Sequence, residues 1–112
     1  MSDLSFEVCV AEVKRRLNAG EPLHLIDVRQ PEEHAVAHID PSRLVPMGEV
    51  PQALPELESK ADEGTLIVFC HHGVRSANVV QWLRGQGVTE CQSMGGGIDA
   101  WSLEVDPSVP RY

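Results

Sequence analysis

The sequence predicts an α/β domain with three layers, in which a mostly parallel central sheet is flanked by helices. Short apolar runs alternate with amphipathic segments along the chain, as they do in domains built from strand–helix units. One run, "TLIVF" at residues 65–69, is apolar throughout and rich in β-branched residues, which is typical of a strand covered on both faces. Glycines follow two of the amphipathic segments, where helices are expected to end.

The first half of the chain is predicted to supply outer elements of this arrangement. Phe6, Val10, Val13 and Leu17 recur at helical spacing, and Gly20 stands just beyond the last of them. Proline is tolerated in the first turn of a helix but interrupts a helix further along. The predicted elements are a helix at 5–18, a strand at 23–29, a short helix from Pro31 to residue 37, a short strand at 43–47 and a partly helical stretch at 48–59 that Pro51 and Pro55 interrupt.

The second half is predicted to contain the central strand and the helix that follows it. In that helix Ala77, Val80 and Leu83 face inward, and Gly87 lies past its end. After the strand at 65–69, the predicted elements are a helix at 76–87, a weaker strand at 89–94, a glycine turn at 95–97, a short helix at 98–104 and an extended tail at 105–112.

Length and charge narrow the possible functions. A chain of 112 residues suits one compact domain, residues 1–112. The net charge of −8 disfavours nucleic acid and anionic membranes as partners. An anionic substrate would need a local region of positive potential in order to bind, because the overall charge repels it. No signal peptide or membrane span is read from the sequence, so a cytoplasmic location is expected.

The three cysteines form neither a disulfide framework nor a zinc pattern, and free thiols in a reducing compartment are expected. Cys91 is predicted to be buried in its strand, and Cys9 to pack within the first helix. Trp82 and Trp101 are predicted to anchor the core.

Cys70 ends the central apolar run and is followed by a polar loop, so it lies where ligands bind in parallel sheets. Without regard to its neighbours, Cys70 would be interpreted as a small residue of the core. His71, His72, Arg75 and Ser76 follow within six positions and cannot all be buried without partners. A strand, a short loop containing a glycine and a helix N-terminus make an anion cradle, which shifts a thiol toward thiolate.

The length of this loop separates two kinds of chemistry. Four residues, His71, His72, Gly73 and Val74, stand between Cys70 and Arg75. The phosphatase signature has five intervening residues. The shorter loop makes a narrower cradle, which is better sized for a single sulfur atom than for a phosphoryl group.

Three blocks of the sequence resemble the single-domain rhodanese family of thiosulfate-type sulfurtransferases. The blocks are "LIDVRQPEEHAVAHI" (25–39), "LIVFCHHGVRSANVVQWLRGQG" (66–87) and "SMGGGIDAW" (93–101), in the family's order and spacing. The chain departs from the family pattern at His34, where an aromatic residue is usual, at Ala37, where glycine is usual, and at residues 40–42, which read Asp-Pro-Ser.

The resemblance implies sulfur transfer in two steps through a Cys70 persulfide. The thiolate takes sulfur from a donor such as thiosulfate or a persulfide, and a thiol or partner protein accepts it. No metal or organic cofactor is implied, and a monomer is expected. The residues expected to hold the persulfide through their backbone N–H groups are His71, His72, Gly73, Val74, Arg75 and Ser76.

Asp27 and Arg29 lie at the carboxyl end of the first predicted strand and are therefore expected at the same sheet edge as Cys70. Their expected role is support: a carboxylate that orients Arg75, or a charge network that braces the loop. Glu33 is a candidate partner for Arg29. Alternatively, Asp27 and Arg29 form ion pairs at the surface that contribute little to stability.

Two other functions stay open at this point. A non-catalytic rhodanese-like module that binds a protein partner does not require an intact Cys70 and Arg75. A cysteine-dependent phosphatase or arsenate reductase on a related fold is disfavoured by the short loop.

Overall fold

The computed structural model describes residues 4–112 and contains a parallel sheet between two layers of helices. Its sheet order is β1-β5-β4-β2-β3, and every neighbouring pair is parallel. The strands are β1 (Glu7–Val8), β2 (Leu23–Asp27), β3 (Arg43–Leu44), β4 (Thr65–Phe69) and β5 (Cys91–Met94). The helices are α1 (Val10–Asn18), α2 (Pro31–Val36), α3 (Leu54–Glu63), α4 (Val74–Gly85) and α5 (Gly97–Glu104), and a 3₁₀ turn spans Met47–Glu49. The predicted fold class is confirmed.

Strand β4 lies at the centre of the sheet and is buried along its whole length, as its apolar sequence predicts. Because side chains alternate across a strand, Leu66 and Val68 pack with residues of α3 and α4 on one face. Ile67 and Phe69 pack with residues of α1 and α5 on the other face. Strands β2 and β4 run side by side, so Asp27 and Phe69 are paired and both strands end at the same edge. No helix within residues 4–112 is long and apolar enough to cross a membrane.

The predicted helix at 5–18 is wrong over its first residues. Glu7 and Val8 instead form β1, which pairs with Ser93 and Met94 of β5, and α1 begins only at Val10. Pairing with a distant sheet edge here overrides a helical spacing of apolar residues. Cys9 precedes α1 and is exposed, so it does not pack as predicted.

Three further predictions for the helices require correction. Helix α3 starts at Leu54 with Pro55 in its first turn and continues to Glu63, beyond the predicted partly helical stretch. Helix α4 starts at Val74, two residues earlier than predicted, and Ala77 is only partly buried. Trp82 lies on the exposed face of α4, whereas Trp101 is buried in the core as predicted.

The N-terminus of α5 packs directly against the loop that follows β4. The backbone N–H groups of Ile98 and Asp99 donate to the carbonyl oxygens of Cys70 and His71, at 2.9 and 3.1 Å. These are first-turn N–H groups that have no partner within a helix, so the loop satisfies them. Gly97 has φ +60°, and a Cβ there would collide with both carbonyl oxygens. A glycine at this position therefore lets α5 approach the loop.

We expect Gly97→Ala to lower the free energy of unfolding by about 2 kcal/mol or more, because it adds a collision to a left-handed backbone. Urea unfolding measures this change. Gly85→Ala is the matched control, because nothing lies within 4 Å of a Cβ at that position of α4, and it is expected to be neutral or slightly stabilising. Equal stability of wild type and Gly97→Ala would contradict the close approach.

Candidate active site

Cys70 lies at the carboxyl end of β4 and is 1% exposed. The backbone N–H groups of Gly73 and Ser76 point at its Sγ, at 3.0 and 3.4 Å, and the thiol lies 3.5 Å from Ser76 Oγ. Gly73 has φ +108°, which turns the loop so that α4 begins at the next residue. The strand, loop and helix therefore enclose the sulfur in a cradle of hydrogen-bond donors.

This cradle favours the ionised form of Cys70. Burial raises the pKa of the thiol, but hydrogen bonds from Ser76 and from the loop backbone lower the pKa by more, so that it lies below its ordinary value. Cys91 has no comparable cradle, and burial raises the pKa of its thiol. Of these two buried cysteines, Cys70 is thus the one prepared to act as a nucleophile.

Glu33 of α2 holds Arg75 through two hydrogen bonds. Arg75 Nη1 and Nη2 lie 2.7 and 2.9 Å from Glu33 Oε1 and Oε2, a bidentate arrangement. The guanidinium is the main reason why the pKa of Glu33 falls to about 2. The carboxylate that orients Arg75 is therefore Glu33 and not Asp27, and the expected ion pair between Glu33 and Arg29 is wrong.

Asp27 and Arg29 form a buried ion pair behind the loop. Both side chains are fully buried, and Arg29 Nε and Nη2 lie 2.9 and 2.8 Å from the two carboxylate oxygens. Arg29 also donates to the backbone oxygens of Glu33 and Ala37, at 3.3 and 2.6 Å. Arg29 Nη1 donates in addition to the hydroxyl of Tyr112 at 2.9 Å, and the Tyr112 ring stacks on His71 of the loop. This pair therefore contacts α2 and Tyr112 rather than Arg75.

The two histidines of the loop differ in their surroundings. His71 stacks between His72 and Tyr112, with ring centroids 3.9 Å apart in each case, whereas the side chain of His72 is largely exposed. Burial, followed by the neighbouring His72, lowers the pKa of His71. Val74 is exposed at the first position of α4.

Two residues near the loop were not predicted from the sequence. Tyr112 donates from its hydroxyl to Glu33 Oε2 at 2.7 Å, although the tail was predicted only to be extended. Ser93 Oγ lies 2.8 Å from Ser76 Oγ. No spacing pattern indicates Tyr112, whereas alternation along β5 could have placed Ser93 toward α4.

His34 and His38 are engaged with neighbouring carboxylates. His34 Nδ1 lies 3.1 Å from Asp27 Oδ2, and His38 Nε2 lies 3.3 Å from Asp40 Oδ2. Among residues 4–112, no group of three or more His, Cys, Asp or Glu side chains could hold a metal ion.

A model of the rhodanese-like domain matches residues 10–104. The chain belongs to this family. A maize protein named adenylyltransferase and sulfurtransferase MOCS3-1 is 38% identical over 96% of this chain, which spans 24% of the maize protein. A Bacillus subtilis protein named putative sulfurtransferase YtwF is 34% identical over 90% of this chain and 94% of its own length.

Solved structures show the same fold in proteins of similar size. A rhodanese-like domain protein from Staphylococcus aureus has a TM-score of 0.80 and 30% identity, with 96% of this chain and 99% of that chain covered. The human single-domain sulfurtransferase TSTD1 has a TM-score of 0.78 and 25% identity, with 90% and 98% covered. The resemblance to single-domain rhodaneses is confirmed, and at the level of the family the chain is related to sulfurtransferases.

We expect Glu33→Gln to destabilise the protein by about 1–2 kcal/mol at pH 7, because it removes a charge-assisted hydrogen-bonded pair. The carboxylate has a lowered pKa in the folded protein, so its stabilisation is complete above the ordinary value of 4.5. It is lost as the pH falls from about 4.5 toward about 2. Urea unfolding at pH 7, 4.5 and 2.5 measures the difference from wild type.

Glu32→Gln is the control, since Glu32 stands exposed in the same first turn of α2. It is expected to change stability little at any of these pH values. A Glu33→Gln difference that stays constant down to pH 2.5 would contradict an ionised pair as its source.

Proposed function

We propose that this chain is a sulfurtransferase that carries sulfane sulfur as a persulfide on Cys70. The observation that supports it best is the surroundings of Cys70 Sγ: the backbone N–H groups of Gly73 and Ser76 point at this sulfur. Four residues separate Cys70 from Arg75 in the loop. The sulfurtransferase names of the maize and human proteins support the same class of reaction.

The reaction proceeds in two displacements at sulfur. The Cys70 thiolate attacks the outer sulfur of thiosulfate, the S–S bond of the donor breaks, and sulfite leaves with the bonding electron pair. A nucleophilic acceptor then attacks the terminal sulfur of the persulfide, and the Cys70 thiolate is regenerated. With cyanide as the acceptor the product is thiocyanate, so neither step needs an oxidant or a reductant.

The loop supplies charge stabilisation through the Ser76 side chain and through its backbone N–H groups. Glu33 neutralises Arg75, so the guanidinium is not a free positive trap for an anionic donor. The N–H groups of the loop and the N-terminus of α4 remain to hold negative charge on sulfur. We also propose that the buried ion pair of Asp27 and Arg29 supports the position of α2.

Two sulfur donors are included in this proposal: thiosulfate, and the persulfide of a small thiol. A thiol or a partner protein is the proposed acceptor. The catalytic unit comprises residues 1–112, of which residues 4–112 are described by the structure.

Incubation with thiosulfate, or with a persulfide donor, is expected to add the mass of one sulfur atom to the protein. Cyanide is expected to remove it, because the terminal sulfur is electrophilic. Intact mass spectrometry measures both changes, and Cys70→Ser is expected to show neither. Cys9→Ser and Cys91→Ser are the matched controls and are expected to retain the adduct.

An adduct that persists in Cys70→Ser would place the sulfur elsewhere and contradict the proposal. Absence of any adduct with both donors would also contradict it, and a partner-binding module would then be the better reading. Turnover of an aryl phosphate without sulfur loading would instead favour the phosphatase class.

A further inference from the structure

A pair of buried hydroxyl groups lies behind the sulfur of Cys70. Ser76 on α4 and Ser93 on β5 are both fully buried, and their Oγ atoms are 2.8 Å apart. Ser76 Oγ is 3.5 Å from Cys70 Sγ, so the three atoms form a row from sulfur to β5. Within residues 4–112, Ser76 Oγ is the only hydrogen-bond partner found for Ser93 Oγ.

Strand pairing fixes the inner end of this row. Ser93 pairs with Val68 of β4 on one side and with Glu7 of β1 on the other. Its backbone N–H donates to the carbonyl oxygen of Phe6 at 2.9 Å. The Ser93 hydroxyl is therefore held by the interior of the sheet, not by a mobile surface segment.

The number of protons in the row differs between the two forms of Cys70. When Cys70 is a thiol, three protons share two hydrogen bonds: the thiol donates to Ser76 and Ser76 donates to Ser93, which leaves the Ser93 proton without an acceptor in the row. When Cys70 is a thiolate, Ser93 donates to Ser76 and Ser76 donates to sulfur, so both protons are used. The row is complete only for the thiolate, and in a buried site a complete row of polar groups is favoured.

We propose that Ser93 is a positioning residue for the reactive sulfur: its hydroxyl donates to Ser76 Oγ and thereby turns the Ser76 hydroxyl toward Cys70 Sγ whenever that sulfur is ionised. The inference extends the proposed function, since sulfur transfer starts from the thiolate and regenerates it in each cycle. Ser93 itself does not touch sulfur and acts through Ser76.

Other charged and titratable groups lie around the loop and are unchanged in the variants that test this role. They come from the loop, the start of α4, the end of β2 and the turn after it, α2, α5 and the tail, and are His71, His72, Arg75, Asp27, Arg29, Glu33, Asp99 and Tyr112. Because these groups are the same in the wild type and in the variants, a difference in the midpoint of Cys70 alkylation is attributed to the substitution at Ser93.

The test is the pH dependence of alkylation of Cys70 by iodoacetamide, followed on the Cys70 peptide by mass spectrometry so that Cys9 and Cys91 do not contribute. Ser93→Ala is expected to raise the midpoint by about 0.5–1 pH unit, since one hydrogen bond that supports the thiolate is lost. The thiolate fraction below the midpoint then falls by about 3- to 10-fold. Ser102→Ala is the control, because Ser102 is also buried but its Oγ has no hydrogen-bond partner in residues 4–112.

A double-mutant cycle separates this role from loss of packing. If Ser93 acts through Ser76, Ser93→Ala is expected to cause no further shift in a Ser76→Ala background. An unchanged midpoint in Ser93→Ala would overturn the inference. Equal shifts in the two backgrounds, or the same shift in Ser102→Ala, would also overturn it.

If Ser93→Ala does not fold, Ser93→Cys replaces it, because a thiol keeps similar size but is a weaker donor. A smaller upward shift is then expected, and an unchanged midpoint would overturn the inference. Sulfur loading is measured separately on the wild type. Loading with no Ser93 effect rejects only the positioning role, whereas a midpoint shift with no loading rejects only the proposed function.

Discussion

Two hydrogen bonds from the first turn of α5 determine how the loop after β4 is held. The N–H groups of Ile98 and Asp99 bind the carbonyl oxygens of Cys70 and His71, so those oxygens face α5. The N–H groups of Gly73 and Ser76 face the sulfur on the other side of the loop. Gly97 permits this approach, since any side chain there would meet the same two carbonyls. The sulfur cradle thus depends on packing between a loop and a helix that are distant in sequence.

The electrostatics of the site follow from this backbone arrangement. A chain of net charge −8 repels anions, and the one arginine of the loop is neutralised by Glu33. Negative charge on Cys70 is therefore held by aligned peptide N–H groups, a helix N-terminus and a buried hydroxyl row. Because these dipoles are fixed before the reaction, they need little reorganisation when the sulfur ionises. Arg29 of the buried Asp27–Arg29 pair donates to the backbone oxygen of Glu33 in α2, to that of Ala37 just after α2, and to the Tyr112 hydroxyl.

The sequence predicted the elements whose signals are local. The central strand at 65–69 and the position of Cys70 at its end follow from a continuous apolar run. Strand β1 could not be predicted in this way, because its two residues pair with β5 across the whole chain. The partner of Arg75 was also missed, since Asp27 ends β2, Glu33 lies in the next element, and only the turn into α2 decides between them. Tyr112 reaches the site through a tail that carries no periodic signal.

The central claim is that backbone N–H groups stabilise the ionised sulfur of Cys70, and NMR of the ¹⁵N-labelled protein tests it most directly. During a pH titration, the amide protons of Gly73 and Ser76 are expected to move downfield together as Cys70 ionises. The expected midpoint lies below the ordinary value for a thiol, because hydrogen bonds lower the pKa of Cys70, and the transition is absent in Cys70→Ala. Amide signals that do not respond to ionisation, or a midpoint at or above the ordinary value, would contradict the account.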